Sequence, residues 1–395
     1  MKVLHIAASD RGQRIPELDG LRGIAIGLVV LYHGFEFGPG PDYHAKDLIH
    51  HLYLWFEGFI AIGWTGVDLF FVLSGFLIGG ILLDTRDSPR YYRTFYARRF
   101  FRIVPPYYGW IFLYMLLMAL AGTFLRSHVV NGSAPERCVF WMQLLFLQNF
   151  GILNRYPTVI GAWLRPTWSL AIEEQFYLVA PAVIKLLSRR VVGIFLGAVI
   201  AFAPLLRLFI YYRWPGQRTD LGMICTLMPC RADALGIGIL AALLWRDTTF
   251  RSWLSQHRRT LYASAALFVA GFMILGKWSP SFDSLPMQSF GYTWIAFSFA
   301  FVLLLCLAEP TGPIAWLARM TWLRELGRVS YCLYLIHYGL QLLGETMLAA
   351  LIRHVHSWEG LTARALTAVI SYGSARASWK WFEHPLVKKG HAFKY

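Results

Sequence analysis

Charged side chains are scarce in this sequence, and acids are scarcest. Among 395 residues, Asp and Glu number 22 and Lys and Arg 37, so charge makes up 15% of the chain against about 25% in a soluble domain. That shortage excludes a water-facing surface over most of the chain. Cysteine is also thin. Cys138, Cys225, Cys230, Cys306 and Cys332 are odd in number and mostly sit inside apolar runs, which excludes a disulfide framework or a zinc ribbon and leaves them as packing residues. There is no GxSxG elbow, HExxH helix, Walker loop or GxGxxG turn, so the common hydrolase, zincin and nucleotide-binding chemistries have no anchor. The adjacent pair His50–His51 has no carboxylate pattern beside it, and no bound metal is expected. Internal repeats and low-complexity tracts are lacking, and no appended soluble domain is expected. Residues 1–17 lack the apolar core of a signal peptide, so the first hydrophobic run is expected to stay in the mature protein.

What fills the chain instead is hydrophobic sequence: 57% apolar residues, with a mean hydropathy of +0.47. It falls in runs of about 20 residues, the length a helix needs to cross the hydrocarbon layer, where lipid offers backbone groups no partner outside a helix. The expected fold is all-α, a polytopic bundle with spans at 18–37, 59–83, 105–125, 168–187, 191–212, 223–245, 261–277, 287–308, 326–352 and 361–382. The run 139–153 is short and is expected to be re-entrant or a partial crossing. In 91–104, Tyr91, Tyr92, Phe95, Phe100 and Phe101 interleave with arginines, the pattern of an interfacial amphipathic helix on the cytoplasmic surface. Residues 1–17 are then a cytoplasmic segment, 18–385 the transmembrane domain and 386–395 a cytoplasmic basic tail.

The net charge of +15 is topological rather than a nucleic-acid signature. Basic residues cluster at 86–102, at 185–190, at 246–259 and at the C-terminus. All four groups fall on one side if the N-terminus is cytoplasmic and 139–153 does not cross. The positive-inside rule therefore favours about ten crossings with both termini cytoplasmic.

Ionisable groups inside spans are costly and point to function by default. His33 lies late in the first span, Asp68 within GVDLFF, Glu173 and Glu174 within SLAIEEQF, Arg231 and Asp233 within CRADALG, and His337 within YLIHYG. At about 1.5 Å per residue, His33 sits roughly 20 Å from the cytoplasmic end of its span, Glu173, Glu174, Arg231 and Asp233 lie in the outer half of theirs, and Asp68 and His337 fall near the middle. They read as a polar cavity inside a bundle. A purely structural reading stands beside it: Asp233 pairing with Arg231 through a third helix, Glu174 pairing with an arginine for assembly, and His337 as a structural hydrogen-bonder or cavity liner. Ser74 reads as a small packing residue.

The run RIPELDGLRGIAIGLVVLYH at 14–33, which holds Arg22 and His33, resembles the opening of the acyltransferase family 3 membrane proteins. Further blocks agree in order: GVDLFFVLSGFLI (66–78), ARRFFRIVPPYY (97–108), PTWSLAIEEQFYL (166–178), RADALGIGILAALL (231–244), SYCLYLIHYGL (330–340) and WFEHP (381–385). The resemblance covers nearly the whole chain. It implies transfer of an acyl group, usually acetyl, from a coenzyme A thioester to a hydroxyl of a carbohydrate or related acceptor, in a bacterial inner membrane. Some members carry a further extracytoplasmic hydrolase-like domain, and none is expected within residues 1–395.

On this reading His33 is the family-matched general base, with a neutral imidazole suited to pH near 7. Glu173 or Glu174 would orient it or bind acceptor hydroxyls. Arg22, Arg98, Arg99 and Arg102 would clamp the phosphates of acetyl-CoA by charge-assisted bonds. Asp68, Arg231, Asp233 and His337 would line the acceptor site, and Tyr177 and Trp168 are candidate oxyanion donors. Two other classes share some of these features. A proton-coupled transporter or flippase of a glycan-like substrate would also bury acids, histidines and arginines, but with repeats that are absent here. A glycosyltransferase using lipid-linked sugar would draw on Asp42, Asp47 and Glu57 of the outer loop. Ester-linked acetyl on surface glycan, lost on gene deletion, separates the acyltransferase from both.

Overall fold

The computed structural model describes residues 15–36, 60–125, 134–150, 161, 163–218, 222–278, 284–351 and 357–395. The expectations placed on 1–14, on His50–His51 and on Asp42, Asp47 and Glu57 lie outside them. Among the described residues regular structure is helical throughout, with no strand. The principal helices are α1 (Pro16–Glu36), α2 (Gly66–Asp84), α3 (Tyr91–Leu125), α4 (Ala134–Leu144), α5 (Trp168–Leu186), α6 (Arg189–Arg213) and α7 (Met228–Trp245). They continue with α8 (Thr248–Gln256), α9 (Arg258–Trp278), α10 (Tyr292–Ala308), α11 (Pro313–Ala318), α12 (Thr321–Leu351), α13 (Ser357–Ser378) and α14 (His384–His391).

Six described segments are long and apolar enough to cross a membrane: Pro16–Phe35, Gly63–Asp84, Tyr91–Leu117, Arg189–Arg213, Met223–Trp245 and Met287–Ala308. The protein is therefore a helical chain with several candidate spans. The other four expected spans fall largely on α5, α9, α12 and α13.

The chain divides into two compact units. The first comprises Met1–Tyr32, Leu54–Pro89 and Ile172–Arg328; the second comprises His33–Tyr53, Arg90–Ala171 and Val329–Tyr395.

In the first unit α2 and α7 cross backbone to backbone. A Cβ on Gly75 would overlap the Leu235 carbonyl, and one on Gly238 would overlap the Val72 carbonyl. Gly79, four residues after Gly75, receives the Ile239 side chain. Small residues four apart let membrane helices approach closely, since lipid supplies no hydrophobic drive between them. At one end of the pair Arg246 grips Asp84 through two hydrogen bonds of 2.6 Å and donates to the Gly80 carbonyl at 2.9 Å.

Helix α6 shows what surrounds this unit. Ile194, Leu205 and Phe209 are 65%, 62% and 59% exposed, whereas Arg207 on the same helix is fully buried. Apolar side chains outside and an arginine inside is the reverse of a water-soluble helix, and suits a lipid-facing one.

In the second unit the structure corrects one expectation. Residues 91–104 are not a separate interfacial helix: they run straight into 105–125 as the 35-residue α3, with Pro105 and Pro106 inside it. Each proline withholds an N–H from the carbonyl four residues back, which suggested a helix start. Here the Tyr331 hydroxyl donates to the Ile103 carbonyl at 2.8 Å beside the pair, and Tyr91, Thr94 and Phe95 bury one face of the preceding turns. The C-terminal residues are docked. Helix α14 packs on α3, Thr94 donates to the Lys394 carbonyl at 2.9 Å, and Arg98 Nε donates to the Phe393 carbonyl at 2.9 Å.

The short run after 139 is helical only to Leu144, about 17 Å for the whole of α4, and so too short to cross. It ends in a turn with Phe146 at φ 54°, a left-handed conformation uncommon outside glycine. Stacking of its ring on Tyr107, with centroids 4.6 Å apart, helps offset that strain. The turn carries Gln148 into a buried network. Tyr107 donates to Gln143 Oε1 at 2.9 Å, Gln148 donates to the Thr167 carbonyl at 2.9 Å, and Thr167 donates to Gln143 Oε1 at 3.1 Å. These bonds fix the turn Arg165–Thr167 at the start of α5.

Candidate active site

The second unit gathers the two span histidines. His33 sits in the last turn of α1, and Tyr334, His337 and Tyr338 share one face of α12 at spacings of three and four residues. His337 Nε2 and His33 Nδ1 lie 3.1 Å apart. On its other side, His337 Nδ1 is 2.9 Å from the Tyr334 carbonyl and 3.1 Å from that of Leu333. His337 is fully buried, whereas His33 is only partly so. The Tyr338 ring meets His33 edge-on at a centroid distance of 5.1 Å, and Arg165 donates to the Tyr338 hydroxyl at 2.8 Å. Tyr334 donates to the Pro166 carbonyl at 2.7 Å and lies 2.6 Å from the Ser169 hydroxyl. The turn fixed by the Gln148 network thus faces the histidines through Arg165. A partly accessible imidazole, oriented by a buried one and flanked by a guanidinium-bound phenol, is able to accept a proton and to stabilise developing negative charge nearby.

In the first unit the buried charges pair crosswise. Arg231 does not pair with Asp233. It reaches Asp68 on α2, while Asp233 receives Arg207 of α6 at 2.9 Å and the Thr293 hydroxyl of α10. Residues two apart on a helix point to different neighbours, so α7 presents its cation to one helix and its anion to others. All four groups are at least 98% buried, and two cations stand against two anions. Both guanidinium groups lie over the Tyr292 ring, at 4.0 Å for Arg231 and 5.7 Å for Arg207. Arg207 also donates to the carbonyls of Gln288 and Ser289 at 2.9 and 3.0 Å. Those carbonyls lie in the π-helical turn Met287–Gly291, where the wider ring of the helix misaligns them and opens them to an outside donor.

Glu173 accepts from the Ser74 hydroxyl and from the Tyr177 hydroxyl, each at 2.9 Å. Ser74 thus bonds a carboxylate as well as packing. Glu174 lies partly buried on the same helix, as does Trp168 at its first position. Arg22 lies partly buried on α1 in the first unit. Arg98, Arg99 and Arg102 lie partly buried on α3: Arg98 holds the C-terminal segment and stands 4.9 Å from the Tyr395 ring, and Arg99 lies over Phe95. The structure therefore joins His33 to His337, Asp68 to Arg231, and Glu173 to Tyr177, and sends Asp233 to an arginine outside the expected set. Among the described residues, no three His, Cys, Asp or Glu side chains gather as a metal-ligand set.

Two site residues were missed in the sequence. Arg207 was detectable, being a cation inside a span. Arg165 sits between spans and gave no such signal.

An acyltransferase domain model matches residues 15–375. Among relatives, the peptidoglycan O-acetyltransferase OatA of Listeria monocytogenes is 25% identical over 416 residues, covering 95% of this chain and 56% of that protein. The O-acetyltransferase OatA of Staphylococcus aureus is 25% identical over 393 residues, covering 95% and 58%. The Bacillus subtilis protein YrhL, provisionally named a peptidoglycan O-acetyltransferase, is 28% identical over 396 residues, covering 95% and 55%. The chain spans about half the length of the curated relatives it matches. No solved structure matches. With the family match running from α1 into α13 and enclosing both histidines, the chain belongs to the acyltransferase 3 family.

Proposed function

We propose that this protein is an integral membrane O-acyltransferase that moves an acetyl group from acetyl-CoA to a hydroxyl of a cell-envelope carbohydrate, with His33 as general base. The observation that carries it is the place of His33: a partly accessible imidazole in a candidate span, 3.1 Å from a buried histidine and beside the Arg165–Tyr338 pair. The family and the relatives named as peptidoglycan O-acetyltransferases support acetyl as the group and peptidoglycan or another envelope glycan as the acceptor. His33 takes the acceptor hydroxyl proton as oxygen attacks the thioester carbon. The carbon–sulfur bond breaks, and the departing thiolate of coenzyme A takes up the proton from His33. General-base assistance of this kind contributes about 10²–10⁴-fold.

The remaining roles follow from charge and position. Arg22, Arg99 and Arg102 are assigned by charge to the phosphates of the donor, with Arg98 shared between that role and the C-terminal segment. Glu173, polarised by Ser74 and Tyr177, binds acceptor hydroxyls together with Glu174. Trp168 stands at the entry of the same helix. The pairs Asp68–Arg231 and Asp233–Arg207 form the framework that carries these helices. The domain runs over 18–385, about ten helices cross a bacterial inner membrane, and both termini are cytoplasmic, with the basic clusters inside.

The test is transfer of label from acetyl-CoA to envelope glycan in membranes, wild type against His33→Ala at matched expression. A fall of about 10²-fold or more is expected. Full transfer by the variant would remove His33 from the chemistry. Absence of label with the wild type would favour the transporter reading.

A further inference from the structure

The hydrogen bonds of the histidine pair fix where the protons sit. Carbonyl oxygens only accept, so His337 Nδ1, held by the carbonyls of Tyr334 and Leu333 at 2.9 and 3.1 Å, carries a hydrogen. A neutral imidazole has one N–H, which leaves His337 Nε2 as an acceptor. That nitrogen lies 3.1 Å from His33 Nδ1. Only one proton fits between them. If it belonged to His337, that ring would be an imidazolium at a fully buried position with no carboxylate within ion-pair distance among the described residues, a costly arrangement. The proton therefore belongs to His33 Nδ1, and in the neutral ring that serves as base the lone pair of His33 falls on Nε2.

We propose that His337 is a positioning residue that selects the tautomer of His33: a backbone carbonyl orients His337, and His337 makes His33 Nε2 the basic nitrogen. A neutral histidine here takes the orienting place that a carboxylate fills in hydrolase triads. It suits the membrane interior, because the relay carries no net charge before the reaction. When His33 takes the acceptor proton on Nε2, its Nδ1–H keeps the bond to His337, which disperses the new positive charge along the chain to the carbonyls of α12. Ring orientation is also set, since the Tyr338 edge closes one face of His33 at 5.1 Å.

This inference rests on the reading of His33 as the base, and the experiment separates the two. Glutamine can place Oε1 near the former Nε2, so His337→Gln keeps an acceptor for His33 Nδ1. Asparagine reaches only the former Nδ1 position, so His337→Asn keeps the bond to the helix carbonyls and loses the one to His33. We expect His337→Asn and His337→Ala to lower kcat about 10–100-fold, the usual effect of removing an orienting partner, with KM for acetyl-CoA little changed. His337→Gln should recover at least a third of the wild-type kcat. Expression level and thermal midpoint in detergent are compared across all three variants. Equal losses in the Gln and Asn variants, or an Asn variant with wild-type kcat while His33→Ala is inactive, would overturn the positioning role and leave His33 as base. Activity in His33→Ala would overturn the base reading first.

Discussion

At the scale of single residues, the first unit keeps charge inside by setting Asp68 against Arg231 and Asp233 against Arg207. Asp233 shows how committed such a group is: one oxygen takes Arg207 and Thr293, the other the Ala234 amide at 3.0 Å. Asp233→Ala would leave Arg207 buried with its charge uncompensated. A loss of about 3–5 kcal/mol is expected for breaking a buried pair from one side, read as a sharply lower thermal midpoint in detergent. Arg207→Leu with Asp233→Leu should be milder than the single change, because no lone charge remains. A double variant as unstable as Asp233→Ala would mean that the hydrogen bonds to Gln288, Ser289 and Thr293 matter more than charge balance. The residues of the histidine pair have the opposite character. His33 and His337 hold each other by one hydrogen bond, so their removal should reduce turnover before stability.

At the scale of elements, close helix approach sets which polar groups can meet. Asp68 and Arg231 reach one another because α2 and α7 touch at Gly75 and Gly238. Gly238→Leu would drive side-chain carbons into the Val72 carbonyl, and the cost is expected at about 1–3 kcal/mol or more. Gly197 on α6 has no neighbour within 4 Å of a Cβ, so Gly197→Leu should leave the thermal midpoint unchanged. Similar midpoints for the two variants would argue against the glycine contact as a determinant of stability. The α3 helix teaches a related lesson. Its proline pair reads locally as a helix start, but the buried face of Tyr91, Thr94 and Phe95 and the docked C-terminal segment carry the helix through it. Local propensity yields here to tertiary packing.

At the scale of the whole molecule, membrane residence rests on the contrast between the exposed apolar face of α6 and the buried arginine behind it. Orientation rests on the basic clusters. Reporter fusions placed after Arg190 and after Arg259 are expected to read as cytoplasmic. An external reading at either position would require 139–153 to cross, against the 11-residue length of α4, and would put the basic clusters at 185–190 and 246–259 outside.

The sequence by itself determined the class of the protein, because hydrocarbon permits only helices to hide backbone polarity and the runs of about 20 apolar residues leave no other use. It also determined which side chains are exceptional, since His33, Asp68, Arg231, Asp233 and His337 stand out against apolar neighbours wherever the helices go. The tertiary structure alone decided their partners. Residues 231 and 233 are neighbours in sequence, yet the 100° turn per residue of a helix sends them to different helices. His33 and His337 are 304 residues apart, and nothing local to either one specifies that they meet. Their hydrogen bond, and with it the tautomer of the proposed base, follows from where α1 ends beside α12, a distance set by packing over both helices rather than by any motif in either.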